Sequence, residues 1–236
     1  MRRLTLLHHG LVLLLLGTAA LGFAFRAGWV PVRFSPLPPL DLAVSDAWFA
    51  DWRMAELGQD RSLCRRVLRE PHVTAESVSD LPVRDGCGLI NGVRVARAGG
   101  VKLAMDRVSC PLAAALSLWF EHALQPEAVA RLGSRIVSVV HFGGYACRNI
   151  RGAAWLSSLR SEHATANAID VSGFVLADGR TISILKHWRG GGAEAAFLRA
   201  VHGRACAYFR VVLGPEYNDL HKDHFHLDRG MISRCR

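Results

Sequence analysis

Two short segments carry most of the side chains that could bind and use a metal ion. They are residues 161–170 (SEHATANAID) and residues 221–226 (HKDHFH). A zinc site for hydrolysis needs three imidazole or carboxylate ligands and one open position for water. His163, Asp170 and one histidine of the second segment would provide these ligands. A strand over residues 224–226 would place its two histidines on one face, because side chains alternate along a strand.

Either segment alone is a weak signal. Six residues between a histidine and an aspartate arise often by chance, and three histidines within six residues are also typical of a solvated loop. The two segments together supply a complete ligand set with spare acids and bases, which favours a metal site.

The elements around these segments predict an α+β fold with an antiparallel sheet and flanking helices. Helices and strands follow one another without the regular alternation that builds a parallel sheet. The hydrophobic periodicity and turn residues predict the following elements. Helices are expected over 41–70, 112–124 and 193–201; strands over 135–140, 168–175, 208–213 and 224–227; and hairpins over 86–100 and around Asp178-Gly179.

The amino terminus predicts export. Arg2 and Arg3 precede an uncharged run from Leu4 to Phe25, which as a helix would span roughly 33 Å, about one hydrocarbon core. Basic residues before the span send the rest of the chain outward. Residues 1–28 would be either an anchor holding the protein on the periplasmic side of the inner membrane or a cleaved signal peptide. A proline-rich linker (29–43) and one domain (44–236) would follow.

The six cysteines include no C-x-x-C pair, which favours disulfides formed in an oxidising compartment over a thiolate metal site. One helix is expected to begin at Cys110, and one strand to end shortly before Cys147. If they run antiparallel, the start of the helix lies near the end of the strand. The expected bonds are therefore Cys110–Cys147 and, by elimination, Cys206–Cys235 and Cys64–Cys87.

The net charge of +9 says little about a binding partner, since 26 of the 29 basic residues are arginines spread along the chain. Four of them lie before residue 35, where there is no acid, which leaves +5 for the remainder. The sequence has no glycine-rich phosphate loop, no G-x-S-x-G elbow and no basic patch interleaved with aromatics. These absences argue against nucleotide, serine-hydrolase and nucleic-acid functions, and the charge suits an anionic cell wall.

The stretches SEHATANAIDVSGF and LGPEYNDLHKDHFHLD resemble the bacterial extensin-like C-terminal domain family, from about Cys64 to the carboxyl terminus. More distantly, they resemble zinc metallopeptidases of the lysostaphin, D-Ala-D-Ala peptidase and hedgehog type. The motif of those enzymes is H-x6-D followed by a histidine near the chain end. The resemblance implies that His163, Asp170 and His226 bind Zn²⁺.

The same resemblance implies roles for residues around the ligands. Asp223, three residues before the last ligand, would be the base, and His224 or His221 would be an alternative acid–base or a donor to the oxyanion. Tyr145 and Arg148 correspond to a Tyr-Arg pair that binds substrate, with two residues inserted between them. The guanidinium of Arg148 would hold a carboxylate or carbonyl group.

Two further residues are expected to support the ligands. Ser161 would orient His163 or simply form a turn, and Asp228 would either hold a ligand histidine by its other ring nitrogen or pair with Arg229. The predicted function is a zinc-dependent peptidase that cuts peptidoglycan stem peptides, as a D,D-carboxypeptidase or an endopeptidase. The alternative is a domain that binds peptidoglycan or an envelope partner without cutting it. A fourth protein ligand would favour binding, and an open metal position would favour catalysis.

Overall fold

The computed structural model describes residues 2–27, 29–45, 49–152 and 154–236. The chain divides into two compact units, one up to Pro39 and one from Leu40 onward. The first unit contains helix α1 (Arg2–Arg26) and a 3-10 turn (Val32–Phe34). The stretch Leu7–Phe25 is long and apolar enough to cross a membrane, and it suits either an anchor or a signal sequence.

The second unit has the predicted α+β architecture, with helices packed against a large sheet. Its helices and strands alternate irregularly along the chain. They are α2 (Ala50–Gln59), α3 (Arg61–Val67), β1 (Val73–Ser77), β2 (Leu81–Arg84), β3 (Cys87–Leu89), β4 (Gly92–Ala98), β5 (Val101–Ser109), α4 (Cys110–Trp119), α5 (Gln125–Leu132), β6 (Ile136–His141), β7 (Ala168–Leu176), β8 (Thr181–Ser183), α6 (Ile184–His187), α7 (Ala193–Ala205), β9 (Val211–Leu213), β10 (Phe225–Asp228) and β11 (Arg234–Cys235).

The main sheet has nine strands in the order β1-β4-β5-β6-β7-β10-β9-β11, and β8 pairs with β7 beside this path. Neighbouring strands are antiparallel except for the pairs β5–β6 and β9–β11, which are parallel. Strands β2 and β3 form a separate two-stranded sheet. The two central strands β7 and β10 are therefore paired on both sides, which fixes their register.

Helix α4 lies deepest in the core because its sequence PLAAALSLW is apolar on every face. Ser109 begins it as a cap, since its hydroxyl accepts the N–H of Leu112 at 3.2 Å. Trp119 ends it and packs edge-on against Phe174 and Phe209, while its indole N–H donates to the Val201 carbonyl at 3.1 Å. The apolar layer between α4, α7 and the sheet is thus held by one aromatic cluster with its polar atom satisfied.

The helix predicted over 41–70 is wrong for 41–45 and 68–70, which are not helical, and the helical part is split in two. The break lies at Asp60, which adopts an extended conformation and caps α3 by accepting the N–H groups of Ser62 and Leu63. An aspartate that bonds local N–H groups begins a new helix instead of continuing the old one. The predicted helix also covered residues 46–48, which lie outside the described residues.

The hairpin predicted over 86–100 is also wrong in its pairing. Strand β3 pairs with β2 and strand β4 with β5, so the two glycine turns of this stretch belong to two neighbouring hairpins. The sequence pattern predicted no strand over β1 or β5. Strand β1 is the edge strand of the sheet and has several exposed positions, which weakens the alternation signal. Strand β5 is paired on both sides, and its buried and exposed residues do alternate over 101–106.

The disulfides confirm one of the three expected bonds. Cys206–Cys235 is present, but Cys110–Cys147 and Cys64–Cys87 are wrong. The start of α4 faces the end of α3, so Cys110 bonds to Cys64. Cys147 lies well beyond the end of β6, in a loop that reaches β3, and it bonds to Cys87. The described chain has no free cysteine.

One half-buried histidine should make the fold sensitive to acid. His202 on α7 packs against Phe225 and Trp188, and its Nε2 atom is buried without a hydrogen-bond partner in the described chain. Burial lowers the pKa of this imidazole from 6.5 to about 4. Because the unfolded chain binds the proton more readily, the stabilisation is complete above pH 6.5 and is lost as the pH falls towards 4, by about 3 kcal/mol.

The expected result is that His202→Gln flattens the fall in unfolding free energy between pH 6.5 and 4. The measurement is urea denaturation of the full chain in detergent at several pH values. His221, whose pKa burial also lowers to about 4, should leave a residual slope in the variant. Parallel pH curves for wild type and variant would contradict this account.

Candidate metal centre

The centre is built first by the pairing of β7 with β10. The antiparallel register places His226 directly opposite Asp170. The alternating neighbours Phe225 and Leu227 are fully buried, as is Ile169 on β7, so they occupy the core face of the sheet. Asp170 and His226 therefore project together on the opposite face.

The third member, His163, lies on a 3-10 turn (Glu162–Thr165) that leads into β7. Ser161 begins this turn, with its hydroxyl accepting the His163 N–H at 3.4 Å. Ala166 then takes a left-handed conformation, with φ of 52°, which is unfavourable for a residue with a side chain. This tight reversal returns the chain onto β7 so that His163 overhangs Asp170.

Three potential metal-binding atoms converge at this point. His163 Nε2 lies 3.2 Å and His226 Nδ1 lies 2.9 Å from the same oxygen, Asp170 Oδ1. The two nitrogens are 3.3 Å apart. His163 is 3% exposed and His226 is 9% exposed, so the donors are sheltered from bulk water. In the described chain, His163, Asp170 and His226 form the group of three residues whose ligand atoms all lie within 4.8 Å of one another.

The other ring nitrogens show which atoms are free to bind a cation. His163 Nδ1 lies 2.8 Å from the carbonyl oxygen of Gly144, and His226 Nε2 lies 3.2 Å from Asp228 Oδ2. A carbonyl or a carboxylate accepts, so both of these nitrogens carry the proton and donate. The lone pairs of the neutral rings then lie on His163 Nε2 and His226 Nδ1, facing the centre. Acceptors behind ligand histidines are a common feature of metal sites.

The Gly144 carbonyl is itself held in place by a histidine. His141 donates from Nε2 to the Leu103 carbonyl at 2.7 Å and accepts the Gly143 N–H at Nδ1 at 3.1 Å. A side chain at position 144 would collide with the Met105 methyl group. The glycine therefore allows the backbone to approach closely enough for its carbonyl to reach His163.

The electrostatics of the centre favour positive charge. Burial alone would raise the pKa of Asp170, but its hydrogen bonds with His163 and His226 hold that pKa well below the usual range. Burial disfavours a charged His226 ring, yet hydrogen bonds with Asp170 and Asp228 raise its pKa to about 9. A metal cation bound to the three donor atoms would balance the negative charge of Asp170 in place of a ring proton, and both rings would then stay neutral. Two imidazoles and a carboxylate are a donor set that suits Zn²⁺.

Two more histidines flank the centre without joining the group of three. His224 Nε2 lies 3.7 Å from Asp170 Oδ1, and its Nδ1 donates to Asp223 Oδ1 at 2.8 Å. His221 stacks beside His224 at 5.2 Å between ring centroids and donates from Nδ1 to the side-chain oxygen of Asn218. Burial lowers the pKa of His221 to about 4, so its ring is neutral at physiological pH.

A cavity of about 490 Å³ opens over the centre. Asp170, His221, His224 and His226 line it, and so does Arg148. Burial, together with nearby positive charge, lowers the pKa of the Arg148 guanidinium against the attraction of Asp170. The cavity thus combines the donor atoms with a half-buried cation.

Two of the predicted site residues lie elsewhere. Tyr145 lines a separate surface groove with His141 and Arg107. Asp223 is not among the residues that line the cavity, and its half-exposed carboxylate contacts the ring of His224. Ser161 lines the cavity and also caps the turn that carries His163.

Sequence reasoning missed Glu162, which also lines the cavity. Its Oε2 accepts from the Asn167 amide at 2.8 Å, and its carboxyl group packs against Gly230. Burial and the neighbouring Asp228 raise its pKa. The available signal was its place between Ser161 and His163, in the segment predicted to carry two of the three metal ligands.

The wall of the cavity is irregular backbone tied to the small sheet. Residues 147–152 and 154–160 supply much of that wall. Cys147 is bonded to Cys87 on β3, and Arg160 donates to the Asp85 carbonyl at 2.7 Å in the turn between β2 and β3. The small sheet therefore acts as a brace for this side of the cavity.

Fold and site together define an α+β protein with a buried His-Asp-His centre at the floor of a cleft. The family model described as extensin-like protein C-terminus matches residues 62–236, and the chain therefore belongs to this family. Neither a curated protein nor a solved structure matches the chain.

We expect the full chain to bind one equivalent of a cation such as Zn²⁺, measured by metal analysis and by isothermal titration calorimetry. His163→Ala and Asp170→Ala should abolish stoichiometric binding, because each removes a donor atom. Asp228→Asn should weaken binding by roughly 10–100-fold, because it removes the charged acceptor behind His226.

Asp219→Asn is the matched control, since Asp219 is exposed and lies outside the cavity lining. It should bind metal as the wild type does. Full metal affinity in His163→Ala would show that the cation sits elsewhere.

Proposed function

We propose that this protein is a zinc-dependent peptidase that acts on peptidoglycan stem peptides in the cell envelope. The observation that carries the proposal is the convergence of His163 Nε2, Asp170 Oδ1 and His226 Nδ1. Three donors without a fourth in the described chain leave room for water or substrate. Zn²⁺ bound there would act as a Lewis acid towards a carbonyl and activate a water molecule.

The cleft also offers a group that can move a proton. His224 presents Nε2 near Asp170, while its Nδ1–H is held by the Asp223 carboxylate. A carboxylate behind an imidazole fixes the tautomer and stabilises the protonated ring. We therefore assign the acid–base role to His224, with Asp223 orienting it, so that the ring takes a proton from the attacking water and returns one to the leaving amine.

Arg148 supplies the group that would hold the substrate. Its guanidinium lines the cavity within electrostatic reach of Asp170. A planar guanidinium can pair with a carboxylate or a carbonyl oxygen of a peptide. A stem peptide with a free carboxylate would then be held beside the metal centre.

Two features outside the cleft support an envelope location. Helix α1 suits a membrane anchor or a signal sequence, which supports a domain on the periplasmic side of the inner membrane or free in the periplasm. Three disulfides suit an oxidising compartment. The distant likeness of H-x6-D and D-x-x-H to the lysostaphin-type and D-Ala-D-Ala peptidases points to the same substrate.

The test is turnover of purified peptidoglycan by the full chain in nanodiscs, with released fragments identified by mass spectrometry. Zinc-loaded wild type should release peptide fragments, and removal of the metal should stop the release. His224→Ala should lower turnover by about 10²–10⁴-fold with the metal content unchanged. Asp223→Ala should lower it less, because the carboxylate acts through His224.

Asp219→Ala is the control for both substitutions and should keep wild-type turnover. An inert wild-type protein that carries stoichiometric zinc and binds peptidoglycan would sink the peptidase proposal and favour a binding domain. Loss of activity in Asp223→Ala but not in His224→Ala would reverse the acid–base assignment.

A further inference from the structure

The mouth of the cleft is unusually apolar for a surface next to a polar centre. Large apolar side chains line the same cavity as Asp170 and His226. Five of them are 49–75% exposed to solvent. Exposed apolar patches of this kind beside a cavity typically mark a place where a ligand is buried. They are Trp155, Leu159, Leu220, Met231 and Ile232.

These apolar residues belong to three chain segments. Trp155 and Leu159 belong to the segment 154–160, Leu220 to the 3-10 turn before β10, and Met231 and Ile232 to the segment after β10. The loop before the first segment is fastened through Cys147 to the small sheet. An apolar group bound between them would be removed from water on two sides, which is more favourable than contact with one flat surface.

The polar part of the cavity is cationic. Arg148 and Arg151 both line it, and they are close enough for Arg151 to lower the pKa of Arg148. The acids nearby do not cancel this charge. Asp170 and Asp228 are engaged with histidines, and Glu162 accepts a hydrogen bond from the Asn167 amide. Two adjacent guanidiniums are a good site for a carboxylate.

We infer that the cleft binds peptides that end in a free carboxylate and carry a large apolar side chain on their last residue. The carboxylate would lie on Arg148 and Arg151, and the side chain between Trp155 and Met231. The inference rests on the proposed peptidase function and extends its substrate class. The methyl group of an alanine-ended stem peptide would leave most of the apolar mouth in contact with water.

The volume of the cavity and the proposed metal centre beside it both favour the end of a peptide as the occupant. About 490 Å³ is in the range of pockets for small ligands and suits a short peptide end, not a folded domain. A metal centre with an acid–base histidine beside it gives a reason for an amide to lie there. A fatty acid would satisfy the same charge and apolar surface but has no amide to cleave, so it is tested separately.

The experiment measures dissociation constants by isothermal titration calorimetry, using the zinc-loaded full chain in nanodiscs. The probes are N-acetylated tripeptides whose last amide is replaced by a non-cleavable ketomethylene. They end in D-phenylalanine carboxylate, D-alanine carboxylate or D-phenylalanine amide, and dodecanoate is the fourth probe. The phenylalanine carboxylate should bind about tenfold or more tightly than the alanine carboxylate, and about tenfold more tightly than the amide.

Two variants should separate the two halves of the cleft. Trp155→Ala should erase the preference for phenylalanine over alanine and keep the preference for carboxylate over amide. Arg151→Gln should do the reverse. Leu185→Ala and Arg189→Gln are matched controls at exposed positions outside the cavity lining, and both preferences should survive in them.

Each failure has a distinct signature. Equal affinity for the two carboxylate peptides, with peptidoglycan still cleaved, would overturn this inference and leave the peptidase function standing. The expected preferences in a protein that cleaves nothing would support the inference as a binding specificity while the peptidase proposal fails. Dodecanoate binding as tightly as the phenylalanine carboxylate would overturn the inference in favour of a lipid ligand.

Discussion

The register between β7 and β10 is the constraint on which the rest of the site depends. It places Asp170 opposite His226, and it does so because Ile169, Phe225 and Leu227 must occupy the core face. A slip of one residue would turn His226 into the core and Phe225 into the cleft. The face that carries Asp170 and His226 is therefore specified by apolar residues on the opposite face, through the hydrophobic free energy of burying them.

The acceptors behind the histidines matter as much as the donors in front. A neutral imidazole has one lone pair, and the Gly144 carbonyl and the Asp228 carboxylate decide where each lies. One acceptor comes from a turn before the site and the other from the strand after it. The geometry of the centre therefore depends on how these distant elements pack. If either acceptor moved, the histidine ring bonded to it would be free to rotate or to change tautomer.

The sequence predicts the side chains of the site better than the connections that assemble it. His163, Asp170 and His226 could be found because residue type and spacing carry metal chemistry, and the strands that bear Asp170 and His226 have clear alternation. The role of Gly144 has no side-chain signal, since a backbone carbonyl is common to every residue. The bond between Cys87 and Cys147 could not be derived either, because spacing along the chain does not reveal that a loop returns to β3.

The bond from Cys147 to Cys87, with Arg160 held on the β2–β3 turn, has a thermodynamic consequence for the cleft. A long irregular wall ordinarily loses conformational entropy when a ligand arrives, and that loss weakens affinity. Here the loss occurs earlier, when the disulfide closes during folding. A ligand that binds in the cleft would therefore meet a preorganised wall only where the Cys87–Cys147 bond has formed, so its affinity would depend on the thiol–disulfide balance of the surroundings.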